Sequence, residues 1–129
     1  MRAPTLRRAV TAAVLIALGL TACGGDGDQP NLPPEAQAGR DLVRSNGCAS
    51  CHGANGQGGV GPAFTGLYGS EVTLDDGTTV VADAAYLRES ITDPRAKIVD
   101  GYGLPMPTTE LDDAEIESII TYIAALAEG

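Results

Sequence analysis

Residues 48–52 read Cys48-Ala49-Ser50-Cys51-His52, two thiols one helical turn apart followed at once by an imidazole. On one turn of helix both sulfurs reach the vinyl groups of a single porphyrin, while the next side chain turns its ring toward the iron. The pattern predicts one covalently attached haem c, with Cys48 and Cys51 as thioether residues and His52 as axial ligand. A bare Cys-x-x-Cys also serves thioredoxin-like redox pairs and zinc sites. A redox pair needs a strand ahead and a helix behind, whereas here helix-forming sequence precedes Cys48 and glycine-rich sequence follows it. Zinc needs four ligands, and the chain has no second cysteine pair and no second histidine.

Working outward, the scarcity of other ligands sharpens the reading. His52 is the single histidine of the 129 residues, and the two methionines are Met1 and Met106. If Met1 is lost with a leader, Met106 supplies the only thioether for the opposite face of the iron. Pro105 and Pro107 bracket it, which rules out a helix there and stiffens the backbone presenting the sulfur.

The N-terminus carries Arg2, Arg7 and Arg8, then an apolar run from Ala9 to Leu20 that ends in Leu20-Thr21-Ala22-Cys23. A basic stretch followed by a short apolar run reads as a signal peptide over residues 1–22. The run falls short of the roughly 20 apolar residues a membrane-spanning helix requires. Leu-Thr-Ala-Cys resembles a bacterial lipoprotein processing site, so Cys23 is expected as the lipidated mature N-terminus. With Cys23 on lipid and Cys48 and Cys51 on haem, all three cysteines are assigned.

The whole chain has a formal charge of −9, and loss of three leader arginines leaves five basic side chains against seventeen acids, or −12. Such a surface repels polyanions, which argues against nucleic acid as partner and against anionic lipid binding through the folded face. Attachment to a membrane must then come through the N-terminal lipid. With no tryptophan and one phenylalanine, the mature chain has little aromatic core of its own. Buried haem is expected to make good the deficit, leaving the apoprotein poorly folded.

Residues 23–34 are small, polar and proline-bearing and read as a flexible linker of about 20 Å typical reach. The folded domain is expected over residues 35–129. Pro34-Glu35 opens a helix running to about Asn46, with Ala36, Gly39, Leu42 and Val43 on one face. Gly39 costs about 1 kcal/mol of helix stability against alanine, so a close contact is its expected compensation. Glycines from Gly53 to Gly61 preclude regular structure. Val72-Thr73-Leu74 and Thr79-Val80-Val81 flank an Asp-Asp-Gly turn and predict a small peripheral β-hairpin. Asp83 caps a helix through Tyr86, Leu87, Ser90 and Ile91 that stops before Pro94. Asp112 and Glu115 form a capping box for a final helix whose apolar face is Ile116, Ile119, Ile120, Ile123 and Leu126.

From Glu35 to Ala127 these residues resemble the class I c-type cytochromes, and most of all the cytochrome c domain fused to subunit II of some haem-copper oxidases. GPAFTGLYGS, VTLDDGT, AYLRESITDP, AKIVDGY and the Met-Pro pair occur in this order. The resemblance implies an all-α, cytochrome c-like fold packed around one covalently bound haem. It implies that Pro62 offers its carbonyl to the second histidine nitrogen, that Leu67 and Tyr102 line the cofactor, and that Met106 is the distal ligand. Gly39 would lie where the first and last helices cross, facing Tyr122. Val43 stands where many relatives carry an aromatic residue, so a looser crossing is expected. The oxidase's copper domain and transmembrane hairpin have no counterpart in this chain.

The resulting expectation is an electron carrier and not an enzyme, with no small-molecule substrate. It would be exported, lipid-anchored at the outer face of the bacterial cytoplasmic membrane, and would pass single electrons to a terminal oxidase or another respiratory complex. The alternatives are a fixed haem subunit of a larger complex and a haem enzyme or sensor with a displaceable methionine. Both axial positions filled by His52 and Met106 leave no site for oxygen or peroxide.

Overall fold

The computed structural model describes residues 31–127, so the leader, Cys23 and most of the linker lie outside the described residues. In chain order the elements are α1 (Pro34–Ser45), α2 (Ala49–His52), β1 (Glu71–Thr73), β2 (Thr79–Val81), α3 (Ala84–Thr92) and α4 (Asp113–Ala125). The fold is helical with one two-stranded antiparallel sheet. None of the described helices is long and apolar enough to cross a membrane.

Local chemistry sets the helix ends. Pro34 occupies the first turn of α1, where its missing N–H costs nothing, and the last turn is closed by the Asn46 N–H on the Leu42 carbonyl and the Gly47 N–H on the Arg44 carbonyl. Asp83 Oδ1 accepts from the Tyr86 N–H at 2.8 Å to start α3. In α4, Asp112 Oδ1 accepts from the Glu115 N–H and Glu115 Oε2 accepts from the Asp112 N–H, each at 2.9 Å, completing the capping box. Each such cap is worth about 1 kcal/mol.

α1 and α4 form the most extensive helix contact. Ala36, Gly39 and Val43 of α1 are buried, as are Ile116, Ile119, Ile120, Tyr122 and Ile123 of α4. At Gly39 the two backbones meet. A Cβ there would overlap the Ser118 carbonyl and stand 2.8 Å from Tyr122 Cβ. Val43, for all its small size, is 1% exposed. The crossing is closed by backbone approach instead of by an aromatic plug.

The hairpin is more than an appendage. β1 and β2 pair Val72 with Val80, but Leu74 bridges to Val99 on the segment leading to Met106. The Asp75 N–H donates to the Ile98 carbonyl at 2.9 Å and the Asp100 N–H to the Thr73 carbonyl at 3.0 Å. Val72 and Leu74 point into the core. The sheet thus braces the base of the Met106 loop. On the far side, Arg88 reaches both Asp113 (3.0 Å) and Glu117 (2.7 Å) and ties α3 to α4.

Gly39→Ala tests the crossing directly. Alanine gains up to about 1 kcal/mol in helix propensity, yet overpacking against unyielding backbone should cost about 1–3 kcal/mol. The expected net result is a lower denaturation midpoint of the haem-loaded protein; a midpoint equal to or above wild type would mean that the helices do not meet at Gly39.

Candidate haem site

α2 is a single turn, held by the His52 N–H on the Cys48 carbonyl and the Gly53 N–H on the Ala49 carbonyl, each at 3.0 Å. It leaves Cys48 and Cys51 half-buried while His52 is turned inward, 9% exposed. The chain then folds back on itself. The Gly58 N–H donates to the His52 carbonyl at 2.7 Å and the Gly61 N–H to the Cys51 carbonyl at 3.0 Å. This return brings Gly61, Pro62 and Phe64 against the imidazole.

Three contacts fix that ring. His52 Nδ1 donates to the Pro62 carbonyl at 2.7 Å, the Phe64 ring stacks on it at 4.4 Å and 17°, and Gly61 lies so close that a Cβ would stand 3.0–3.2 Å from the ring atoms. Because a carbonyl can only accept, the proton sits on Nδ1 and the lone pair on Nε2, the tautomer a metal requires. Burial lowers the proton affinity of His52 below that of ordinary imidazole, and the Pro62 hydrogen bond offsets only part of this. The ring is therefore neutral at neutral pH.

Burial pushes the Cys48 thiol upward, against a backbone hydrogen bond that lowers it, with Cys51 adding a smaller upward push. A redox-active Cys-x-x-Cys depends on the opposite, a depressed thiol. Zinc fares no better: among the described residues no group of three His, Cys, Asp or Glu side chains is placed to hold a metal ion.

Cys48, Cys51, His52, Pro62, Leu67, Tyr102 and Met106, all named from the sequence, line one cleft that is partly open to solvent. α1 contributes Val43, α3 contributes Leu87 and Ile91, and α4 contributes Ile119 and Ile123, so the cleft's inner wall is the apolar face of the helical layer. Although the chain is strongly acidic, among the described residues no carboxylate lines the cleft, and Lys97 is the one lysine or arginine in its lining. Ser90 and Thr109 also line it with buried hydroxyls, that of Ser90 beside the Tyr86 hydroxyl. An apolar cleft with two thiols and an imidazole in its lining and one thioether in the loop lining it fits a haem.

Sequence reasoning missed Phe64 as the ring that stacks on His52, and it missed Ser90, Lys97 and Thr109 as cleft residues. Phe64 carried one usable signal, being the only phenylalanine and two positions after Pro62. The hydroxyls carried none, because a serine in a helix and a threonine in a loop are ordinary surface residues until the fold encloses them.

Comparison with known proteins agrees with this geometry. The family model described as cytochrome c matches residues 36–127. The chain is 31% identical to the cbb3-type cytochrome c oxidase subunit CcoP of Azospirillum brasilense over 142 residues, covering 88% of this chain and 42% of that subunit. It therefore spans less than half the length of that relative. Among solved structures it is similar to cytochrome cH from Methylobacterium extorquens, with 27% identity, a TM-score of 0.51, and coverage of 69% of this chain and 96% of that one. Family match, fold and the lining of the cleft converge: the chain belongs to the cytochrome c family, whose members are haem-bearing electron carriers.

Proposed function

We propose that this protein is a monohaem, lipid-anchored one-electron carrier at the outer face of a bacterial cytoplasmic membrane, passing electrons to a terminal oxidase. The observation that carries the reading is the convergence of the single histidine and Met106 on one cleft that also holds Cys48 and Cys51. When bound, haem c supplies a reversible one-electron change at iron, with a potential that methionine raises relative to a second histidine. His52 presents Nε2 from a ring locked by Pro62 and Phe64. Met106 presents its sulfur from a proline-stiffened loop braced by the hairpin. The apolar walls hold water away from the site.

The lipid anchor rests on Leu20-Thr21-Ala22-Cys23 behind a short apolar run. Similarity to an oxidase subunit supports a respiratory partner, and it also favours the second reading, a fixed haem subunit of a larger complex. Leu104, 78% exposed, Pro105 and half-buried Leu67 are uncharged residues of the cleft lining, and half-buried Ala63 follows Pro62 in the chain. Those residues suit contact with a partner that the acidic remainder of the surface would repel. Confinement to one membrane at effective concentrations of order mM replaces electrostatic steering.

Covalent attachment is tested by acid–acetone extraction: wild type should keep its haem, and the double variant Cys48→Ala, Cys51→Ala should lose it. Haem retained by that variant would overturn the assignment. Met106→Ala should lower the potential and open the iron to carbon monoxide; an unchanged spectrum and potential would identify some other distal ligand.

Cys23→Ser should release intact, haem-loaded protein from membranes. The released form should reduce its oxidase more slowly than the anchored one, at a rate flat or rising with added salt. A steep fall with ionic strength would instead assign the encounter to long-range attraction by a basic partner.

A further inference from the structure

The ring packed on His52 supplies something that an aliphatic side chain in its place could not. Phe64 is 7% exposed, and its ring centroid lies 4.4 Å from that of the imidazole with the two planes 17° apart, so it presents a face and not an edge. Backbone contacts hold it there. The Phe64 N–H donates to the Gly56 carbonyl at 2.7 Å, and the Phe64 carbonyl accepts from the Leu67 N–H at 3.1 Å. Gly56, at φ 74°, packs so closely that a Cβ there would stand 3.0 Å from Phe64 Cβ and 3.4 Å from its ring atom Cδ2. The same Cβ would stand 2.8 Å from Leu126 Cδ1 at the end of α4, so the loop that carries Phe64 is wedged against the helical layer.

Orientation of the imidazole does not by itself call for an aromatic ring. The Pro62 carbonyl already fixes the tautomer, and Gly61 already packs against the ring atoms. What the phenyl group adds is electrostatic: its face is the negative pole of a quadrupole, which attracts a positive partner, and most strongly where water is excluded. His52 as axial ligand donates density to iron, and its ring is more positive when the iron has given up its electron to a partner than when it holds it. We propose that Phe64 is a positioning residue for electron transfer, whose ring face, acting through His52, favours the oxidised state and lowers the reduction potential. This rests on the haem reading above, with His52 as ligand. Met106 would raise the potential from one side of the iron and Phe64 would hold it down from the other.

Phe64 is the only phenylalanine of the chain, so fluorinating this residue type changes this ring alone. The test is the reduction potential of the haem-loaded protein carrying 4-fluoro-, 3,4,5-trifluoro- or pentafluorophenylalanine at position 64, beside wild type and Phe64→Leu. Fluorine keeps the flat ring and its stacking while progressively draining, and finally reversing, the negative face. The potential should rise in step with the number of fluorines. For the pentafluoro ring the equilibrium between the two oxidation states should shift about threefold toward the reduced form, about 30 mV at 59 mV per tenfold. Phe64→Leu should also rise, and the weak red charge-transfer band of the thioether–iron bond should stay unchanged throughout. A potential that is flat or falls along the fluorinated series would overturn the proposal, showing that the ring only fills space. A rise accompanied by loss of the red band would overturn it too, by tracing the change to Met106. If Phe64→Leu does not fold or the pentafluoro ring is too bulky, the slope over the lighter fluorinated members decides on the same criteria. Haem lost from wild type on acid–acetone extraction would sink the haem reading itself, an outcome independent of any trend in the series.

Discussion

The close approach of α1 and α4 at Gly39 is the constraint from which the other parts of the molecule take their positions. With no side chain at Gly39, Ser118 carbonyl and Tyr122 Cβ can occupy the space a Cβ would claim. Interhelical distance depends on the smallest residue at the contact. Once the two helices meet there, Ile119 and Ile123 are placed as the inner wall of the cleft, and α2, one short turn after α1, is aimed at that wall. A larger residue at Gly39 would move the wall and the Cys48–His52 turn relative to each other. Geometry at the cofactor is thereby tied to a contact on the far side of the helical layer.

A second dependence runs through His52. Its ring is held by a hydrogen bond, a stacked ring and a backbone face, all supplied by residues 61–64. Those residues are reached only because the glycine-rich return lets the Gly58 and Gly61 amides bond to the carbonyls of His52 and Cys51. Tautomer, orientation and neutrality of the imidazole are consequences of one loop closure. Met106, the proposed opposite ligand, is prepared differently, by prolines on either side of it and by the bridge from Leu74 to Val99. His52 is locked by packing and Met106 by stiffness of the chain.

Electrostatics divide the molecule in two. The chain carries a large excess of carboxylates, and among the described residues none of them lines the cleft. A carboxylate near the iron would favour its more positive state. Restricting the acids to the outside keeps the protein soluble while leaving the site to neutral and cationic groups.

Sequence alone determined the elements and the chemistry that depends on near neighbours. The helix caps at Asp83 and Asp112, the start of α1 at Pro34, the hairpin turn, and the Cys48–His52 attachment pattern are local, because their hydrogen bonds and spacings span only a few residues. Elimination did the rest: one histidine and one internal methionine leave little choice of axial ligands. Pro62, Leu67, Tyr102 and the Gly39 crossing came through resemblance and not from spacing. Tertiary structure decided what no local rule encodes. Phe64 reaches His52 across twelve residues, Leu74 meets Val99 across twenty-five, and Ser90 and Thr109 become cleft residues only when separate segments enclose them. A polar side chain in a sequence has water as its default partner. Folding removes the water and gives each such side chain neighbours that no local rule names.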